Sequence, residues 1–74
     1  MISFFYLEHS MIYLEPRIIF DAAIVQSDSV VYDFNLLIKV LMSEYKCTFT
    51  EAIEWFCHNI EPLKIYAGLQ ITGQ

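Results

Sequence analysis

Four ionisable side chains recur at helical spacing in the second half of the chain. They are Glu51, Glu54, His58 and Glu61. Residues three or four positions apart are neighbours on a helix, so the four would form one polar stripe. Adjacent carboxylate and imidazole groups can bind a metal ion or transfer a proton. A metal site of this kind needs further ligands from a facing helix. The preceding segment offers few, so we expect a solvated face or a partner-binding surface with no metal.

A second chemical interpretation concerns Cys57 and His58, which could form a thiol nucleophile with its base. Successive residues on a helix point in different directions, so His58 does not face Cys57. Cys57 falls on the apolar side and is expected in the core, whereas Cys47 precedes the helix and is expected to be exposed. The two thiols lie on the order of 15 Å apart along a helix, too far for a disulfide. Unpaired thiols fit a reducing cytoplasm.

No established catalytic motif is present. The chain has no glycine-rich phosphate loop, no G-x-S-x-G and no zinc-ligand spacing. Glu8 and His9 form an isolated pair with no supporting residue at fixed spacing. We therefore expect no enzymatic activity and no cofactor.

Trp55 lies at the border between the apolar side of its helix and the polar stripe. An interface anchor is typically found at such a position, but a tryptophan packed against the N-terminal strands would give the same pattern. The sequence leaves both interpretations open. The predicted partner-binding residues are Glu51, Glu54, Trp55, His58 and Glu61.

Two predicted helices position these residues. The first has one apolar face, made of Phe34, Leu37, Ile38, Leu41, Met42 and Tyr45, and Asp33 is its expected N-cap. The second begins at the capping-box pattern of residues 48–51. We expect it to end near residues 59–61, because Pro62 cannot continue a helix. Only two residues separate the helices, which predicts a tight helical hairpin.

The N-terminal half favours extended chain. Residues 2–7 and 11–14 predict two short strands that could pair as a hairpin, and residues 17–26 suggest further extended chain, with a helical turn open at residues 22–23. Residues 65–67 predict a last strand. The predicted fold class is α+β, with a small antiparallel sheet of two to four short strands packed against a two-helix hairpin. The expected organisation is a single domain over residues 1–74.

Apolar residues make up 57% of the 74 positions, above the usual ~45–50%. One small core buries limited surface, so we expect a homodimer or larger assembly, or a partner surface. Polar and charged residues between 8 and 17 interrupt the N-terminal apolar run, which argues against a membrane span. The same part lacks a basic n-region, so we do not expect a secretory signal.

The formal net charge is −5, and four scattered basic residues cannot track a phosphate backbone. Direct nucleic-acid binding is therefore not expected. An acidic face instead suits the basic groove of a nucleic-acid-binding protein. Asp21 and Asp28 offer a second acidic face in the N-terminal half.

The motifs between Asp21 and Gly68 resemble a group of short, mostly uncharacterised proteins of tailed phages and prophages. Those proteins share the pattern Y-D…L-I…L-M…E-A-x-E-W-F-x-x-N-I, which here spans residues 32–60. This chain departs from the pattern at its turn, residues 45–47, where a glycine is usual, and at residues 57–58, which replace an acidic–aromatic pair. The resemblance implies a phage origin and a compact α+β fold, and it carries no known active site.

Two classes of function follow. The first is a phage-encoded acidic protein, located in the host cytoplasm, that binds and inhibits a host protein, for example as an anti-CRISPR-type or other anti-defence inhibitor. The second is a structural or accessory phage protein whose role is self-assembly.

Overall fold

The computed structural model describes residues 5–8, 11–26 and 28–74. Two strands come first, and a short helix with a 3-10 turn separates them from two further strands; a helical region then precedes the last strand. The elements are β1 (Phe5–Glu8), β2 (Met11–Leu14), α1 (Arg17–Phe20), a 3-10 turn (Asp21–Ala23), β3 (Ile24–Gln26), β4 (Val31–Asp33), α2 (Phe34–Tyr45), α3 (Phe49–Trp55), a π-helical segment (Phe56–Ile60), α4 (Glu61–Tyr66) and β5 (Gln70–Thr72).

The strands form two sheets. β1 and β2 pair as an antiparallel hairpin with Phe5 opposite Leu14, which confirms the predicted pairing for its described residues. Residues 2–4 of that prediction, and His9 of the Glu8–His9 pair, lie outside the described residues. The other sheet has the order β3-β4-β5, in which β3–β4 is antiparallel and β4–β5 is parallel. The prediction of an antiparallel sheet was therefore wrong for the pair β4–β5. Three helices lie between these strands, and long helical crossovers of this kind join parallel strands.

Helix α2 is central to the fold and contacts α1, the 3-10 turn, β4 and α3. Its inner face buries Leu37, Ile38 and Leu41, as the apolar spacing predicts. The helix begins at Asp33, whose carboxylate accepts a hydrogen bond from Leu36 N at 2.9 Å, so the expected N-cap is confirmed. It ends at Lys46, which adopts the left-handed conformation with φ 52°. This residue takes the place of the glycine usual at a helix C-terminus.

The hydrophobic core joins residues from both sheets and the helices. Tyr32 lies at its centre in β4, with 0% of its surface exposed. The other buried members are Leu14, Phe20, Ala23, Val30, Leu37, Ile38, Leu41, Ala52, Phe56, Ile60 and Leu69. The Tyr32 hydroxyl accepts a hydrogen bond from Leu14 N at 2.7 Å and so ties the β1–β2 hairpin to β4 of the other sheet.

The second predicted helix does not end at Pro62. The chain passes from α3 through one π-helical segment into α4 and stays helical to Tyr66. Pro62 lies in the first turn of α4, where a residue without a backbone donor is tolerated. Glu61 N donates to Phe56 O, five residues back, so the wider π turn takes up the change in register just before the proline.

The α+β class is confirmed. The two-helix hairpin is not confirmed, because residues 34–66 form three α-helices. Residues 65–67, expected as a strand, belong to the end of α4 and the turn after it, and the final strand is β5. Of residues 17–26, expected to be extended, only 24–26 form a strand. None of the helices in the described ranges has the length and apolar character needed to cross a bilayer.

Candidate partner-binding surface

The polar stripe lies on α3, the π-helical segment and the start of α4. Glu51, Glu54 and His58 are exposed, and Glu61 is half-buried. The fold therefore brings the sequence-predicted acids and histidine to one continuous helical stretch at the surface. Two of the four are engaged in contacts within the chain, which changes what each can offer a partner.

Glu51 holds the start of α3. Its Oε1 accepts from Thr48 N at 2.8 Å, and Thr48 Oγ1 accepts from Glu51 N at 3.2 Å. This reciprocal pair is the predicted capping box, and it is confirmed. A substitution of Glu51 would therefore alter the helix as well as any partner contact.

Glu61 is bound to the C-terminal residue. Its Oε1 accepts from Gln74 Nε2 at 3.1 Å, and the Oε1 of Gln74 accepts from Lys64 Nζ at 2.9 Å. By contrast, Glu54 and His58 make no hydrogen bond or ion pair with any other described residue. Their charge and hydrogen-bonding capacity face solvent and are available to another molecule.

Two aromatic rings stack against Trp55. The ring of Phe20 lies at 6.3 Å between centroids with a 20° interplanar angle, and that of Tyr45 at 5.8 Å with 24°. We call Phe20, Trp55 and Tyr45 the aromatic stack. Trp55 therefore packs within the fold, where it contacts Phe20 of α1 and Tyr45 of α2.

Tyr45 is the member of the stack that reaches solvent, with 48% of its surface exposed. Sequence reasoning placed Tyr45 on the apolar face of the first helix and missed this role. Its position in the last turn of α2, where the helix leaves the core, was the signal that could have shown it. The exposed aromatic surface of the stack therefore comes from Tyr45 together with the half-buried Trp55, which directly follows Glu54 in α3.

The predicted environments of the two cysteines are reversed. Cys57 is exposed, whereas Cys47 is half-buried and its Sγ donates to Leu41 O at 3.6 Å. The buried positions of this helical stretch are Ala52, Phe56 and Ile60. Cys57 directly follows Phe56, and successive residues on a helix point in different directions, so Cys57 lies on the outside when Phe56 faces the core. Both thiols are free.

A metal centre finds no support in the described part of the chain. No three histidine, cysteine or acidic residues are grouped there closely enough to hold an ion. Glu54 and His58 alone would supply two ligands.

The alternative acidic face is weakened by a cation. Arg17 Nη2 lies 3.1 Å from Asp21 Oδ2, and its guanidinium also lies 3.8 Å from the centroid of the Tyr13 ring. The charge of Asp21 is thus partly neutralised by Arg17. Asp28 remains as an exposed acid, and its turn contains no second carboxylate. The helical stripe is the better acidic surface of the two.

Among the titratable groups of the described side chains, the one with a clear pKa shift is Tyr32, which lies in the core and not on this surface. Burial raises the pKa of Tyr32 from 10.0 to about 12, while the hydrogen bond from Leu14 N lowers that pKa by a smaller amount. The hydroxyl therefore stays protonated at neutral pH and acts as a structural link between the two sheets.

Comparison with known proteins gives no match to a family model, to a curated protein or to a solved structure. The resemblance to short phage proteins therefore stays a prediction. The surface described above is therefore the basis for inferring a function.

Proposed function

We propose that this protein is a non-enzymatic, phage-encoded inhibitor that binds a host protein in the host cytoplasm. Two features together carry the proposal. Glu54 and His58 have no partner in the described chain, and the aromatic stack, which includes the adjacent Trp55, exposes one side to solvent. Aromatic residues are enriched where proteins bind one another, and charges at the rim of an interface steer the encounter. In this proposal α2 and α3 act as the helical hairpin that presents the surface.

The charge of the chain suits a basic target. With a net charge of −5, the protein would approach a positively charged groove faster than a neutral protein would. A host nucleic-acid-binding protein has such a groove, and an anti-CRISPR-type or other anti-defence inhibitor would act by occupying it. Glu54 is the acid whose contribution can be tested most cleanly, because Glu51 is needed for the capping box.

The test is affinity capture from a lysate of the bacterial host. The bait proteins are the wild-type chain, Glu54→Lys and Asp28→Lys. The control Asp28→Lys makes the same charge reversal at an exposed turn residue outside the stripe. We expect one host protein to be retained by the wild type and by Asp28→Lys and to be depleted with Glu54→Lys. Equal recovery by all three baits would contradict the proposed surface.

Self-assembly as a structural or accessory phage protein is the second candidate. It is favoured by Ile65 and Tyr66, adjacent residues of α4 that are 82% and 85% exposed. The total accessible surface is 4834 Å², close to the about 4700 Å² expected for a compact monomer of this size. Assembly is therefore favoured by the position of the exposed apolar residues and not by the overall size of the surface.

Light scattering at micromolar concentration tests the second candidate. A dimer or larger particle that Tyr66→Lys converts to a monomer would support self-assembly through α4. A monomer mass for the wild type would exclude it. The position of the gene gives a second criterion, since a late morphogenesis position favours assembly and an early or defence-associated position favours inhibition.

A further inference from the structure

A groove of about 470 Å³ lies between α2 and the start of α3. Its lining residues are Asn35, Ile38, Lys39, Met42 and Phe49. The volume falls in the range of small-molecule sites, which are mostly apolar with a few polar groups at one side. The groove and the polar stripe involve different residues, so this site is independent of the proposed function.

The groove has an apolar wall and a polar edge, and both follow from the helix repeat. Ile38 and Met42 are one turn apart on α2, and so are Asn35 and Lys39. Ile38 is only 3% exposed and forms the floor, whereas Phe49 is 59% exposed and closes the side that α3 provides. Apolar side chains thus lie along one side of the groove, with an amide and an ammonium group along the other.

Lys39 has no carboxylate partner among the described residues. In a chain with nine acidic and four basic residues, an unpaired ammonium at the edge of an apolar groove is a local reversal of the overall charge. An occupant that matches both walls has an aliphatic body and one negative end group. We propose that the groove binds a medium-chain aliphatic monocarboxylate, with its chain against Ile38, Met42 and Phe49 and its carboxylate on Lys39.

The test compares octanoate, octanol and octylammonium as ligands at concentrations below micelle formation. Binding is followed by NMR through the methyl signal of Met42 and by titration to an apparent Kd. The overall charge of the protein favours the cation, whereas the local ammonium favours the anion. We expect octanoate to bind about two- to fivefold more tightly than octanol, as is typical of an exposed ion pair, and octylammonium to bind most weakly.

Two lysines of the α2 region provide the matched variants. Lys39→Gln removes the ammonium at the groove, and Lys46→Gln removes an exposed ammonium that does not line it. We expect Lys39→Gln to abolish the preference for octanoate over octanol while Lys46→Gln retains it. A third variant, Phe49→Ala, removes the exposed wall and should weaken all three ligands together.

Three results would overturn the proposal. The first is an unchanged Met42 signal with octanoate. The second is octylammonium binding at least as tightly as octanoate to the wild-type protein. The third is an equal loss of octanoate affinity in Lys39→Gln and Lys46→Gln, which would show a general charge effect and no site at the groove.

Discussion

Replacing Tyr32 by phenylalanine tests the link between the two sheets. The hydroxyl of Tyr32 is buried and accepts a hydrogen bond from Leu14 N at 2.7 Å. Phenylalanine keeps the ring in the core and removes the oxygen atom alone. The amide of Leu14, in a residue that is 1% exposed, would then lose this acceptor.

The expected cost at neutral pH is about 1–3 kcal/mol of unfolding free energy, the usual penalty for leaving one buried hydrogen-bonding group unpaired. For a small domain this is a large share of a total that is typically ~5–15 kcal/mol. The control is Tyr66→Phe, because Tyr66 is 85% exposed and its hydroxyl faces water. We expect that control to change the unfolding free energy by less than about 0.5 kcal/mol.

The same hydroxyl predicts a dependence on alkaline pH. The pKa of Tyr32 is raised from 10.0 to about 12, so the folded state holds this proton more tightly than the unfolded state does. The corresponding stability is fully present below pH 10 and is lost as pH rises through about 12. A difference of this size corresponds to about 2–3 kcal/mol. Tyr32→Phe lacks this contribution, so the stability gap between wild type and variant should narrow above pH 10.

Urea unfolding followed by circular dichroism, at neutral pH and in steps from pH 10 towards pH 12, measures the stability difference between wild type and Tyr32→Phe and its change with pH. The reasoning is refuted if Tyr32→Phe matches the wild type within about 0.5 kcal/mol at neutral pH. A gap that stays constant up to pH 12 would contradict the pKa argument specifically.

Three other changes test local features. Cys57 should react with a thiol reagent in the native protein faster than the half-buried Cys47, and mass spectrometry of the labelled peptides measures the order; faster labelling of Cys47 would contradict this orientation of the helix. Lys46→Gly should raise the unfolding free energy by about 0.5–1 kcal/mol, because glycine adopts the left-handed conformation without steric cost; a lower urea midpoint would contradict this. Thr48→Ala should lower the unfolding free energy by about 1 kcal/mol through loss of the capping box. Thr50→Ala, at an exposed position outside the cap, should lower the unfolding free energy by less in the same assay.

Local signals in the sequence were sufficient for the caps and for the buried face of α2. Asp33 and the Thr48–Glu51 pair act through hydrogen bonds within three residues, so their spacing carries all the information needed. The inner face of α2 follows from the helix repeat, because the helix is regular from Phe34 to Tyr45. The pairing of β1 with β2 was predictable for the same reason, since only two residues separate the strands.

Non-local features were not predictable. No residue type marks the π-helical segment at residues 56–60. The exposure of Cys57 depends on which side of this helix the rest of the fold covers, which is a tertiary property. Pro62 ends most helices, but here it falls in the first turn of a new one. The parallel pairing of β4 with β5 joins residues almost forty positions apart, which no short-range pattern encodes.

For the candidate partner-binding surface, the exposure of the polar side chains was predictable from the sequence, whereas the packing of the aromatic side chains was not. Glu54 and His58 are exposed as the stripe implied, because polar residues at helical spacing on a surface helix face solvent. Trp55 packs against Phe20 and Tyr45, a contact among three separate helices that depends on the tertiary fold. Variants of Trp55 therefore change stability along with binding, and Glu54 is the cleaner probe of the surface.

The most direct test of the proposed inhibitory surface is the association rate of the captured host protein with immobilised wild type, Glu54→Lys and Asp28→Lys, measured over a range of salt concentrations. The account predicts slower association and a weaker salt dependence for Glu54→Lys, with Asp28→Lys close to the wild type, because charges that border an interface act mainly on the rate of encounter. Equal association rates for both variants, each folded by circular dichroism, would contradict it and place the partner elsewhere on the chain.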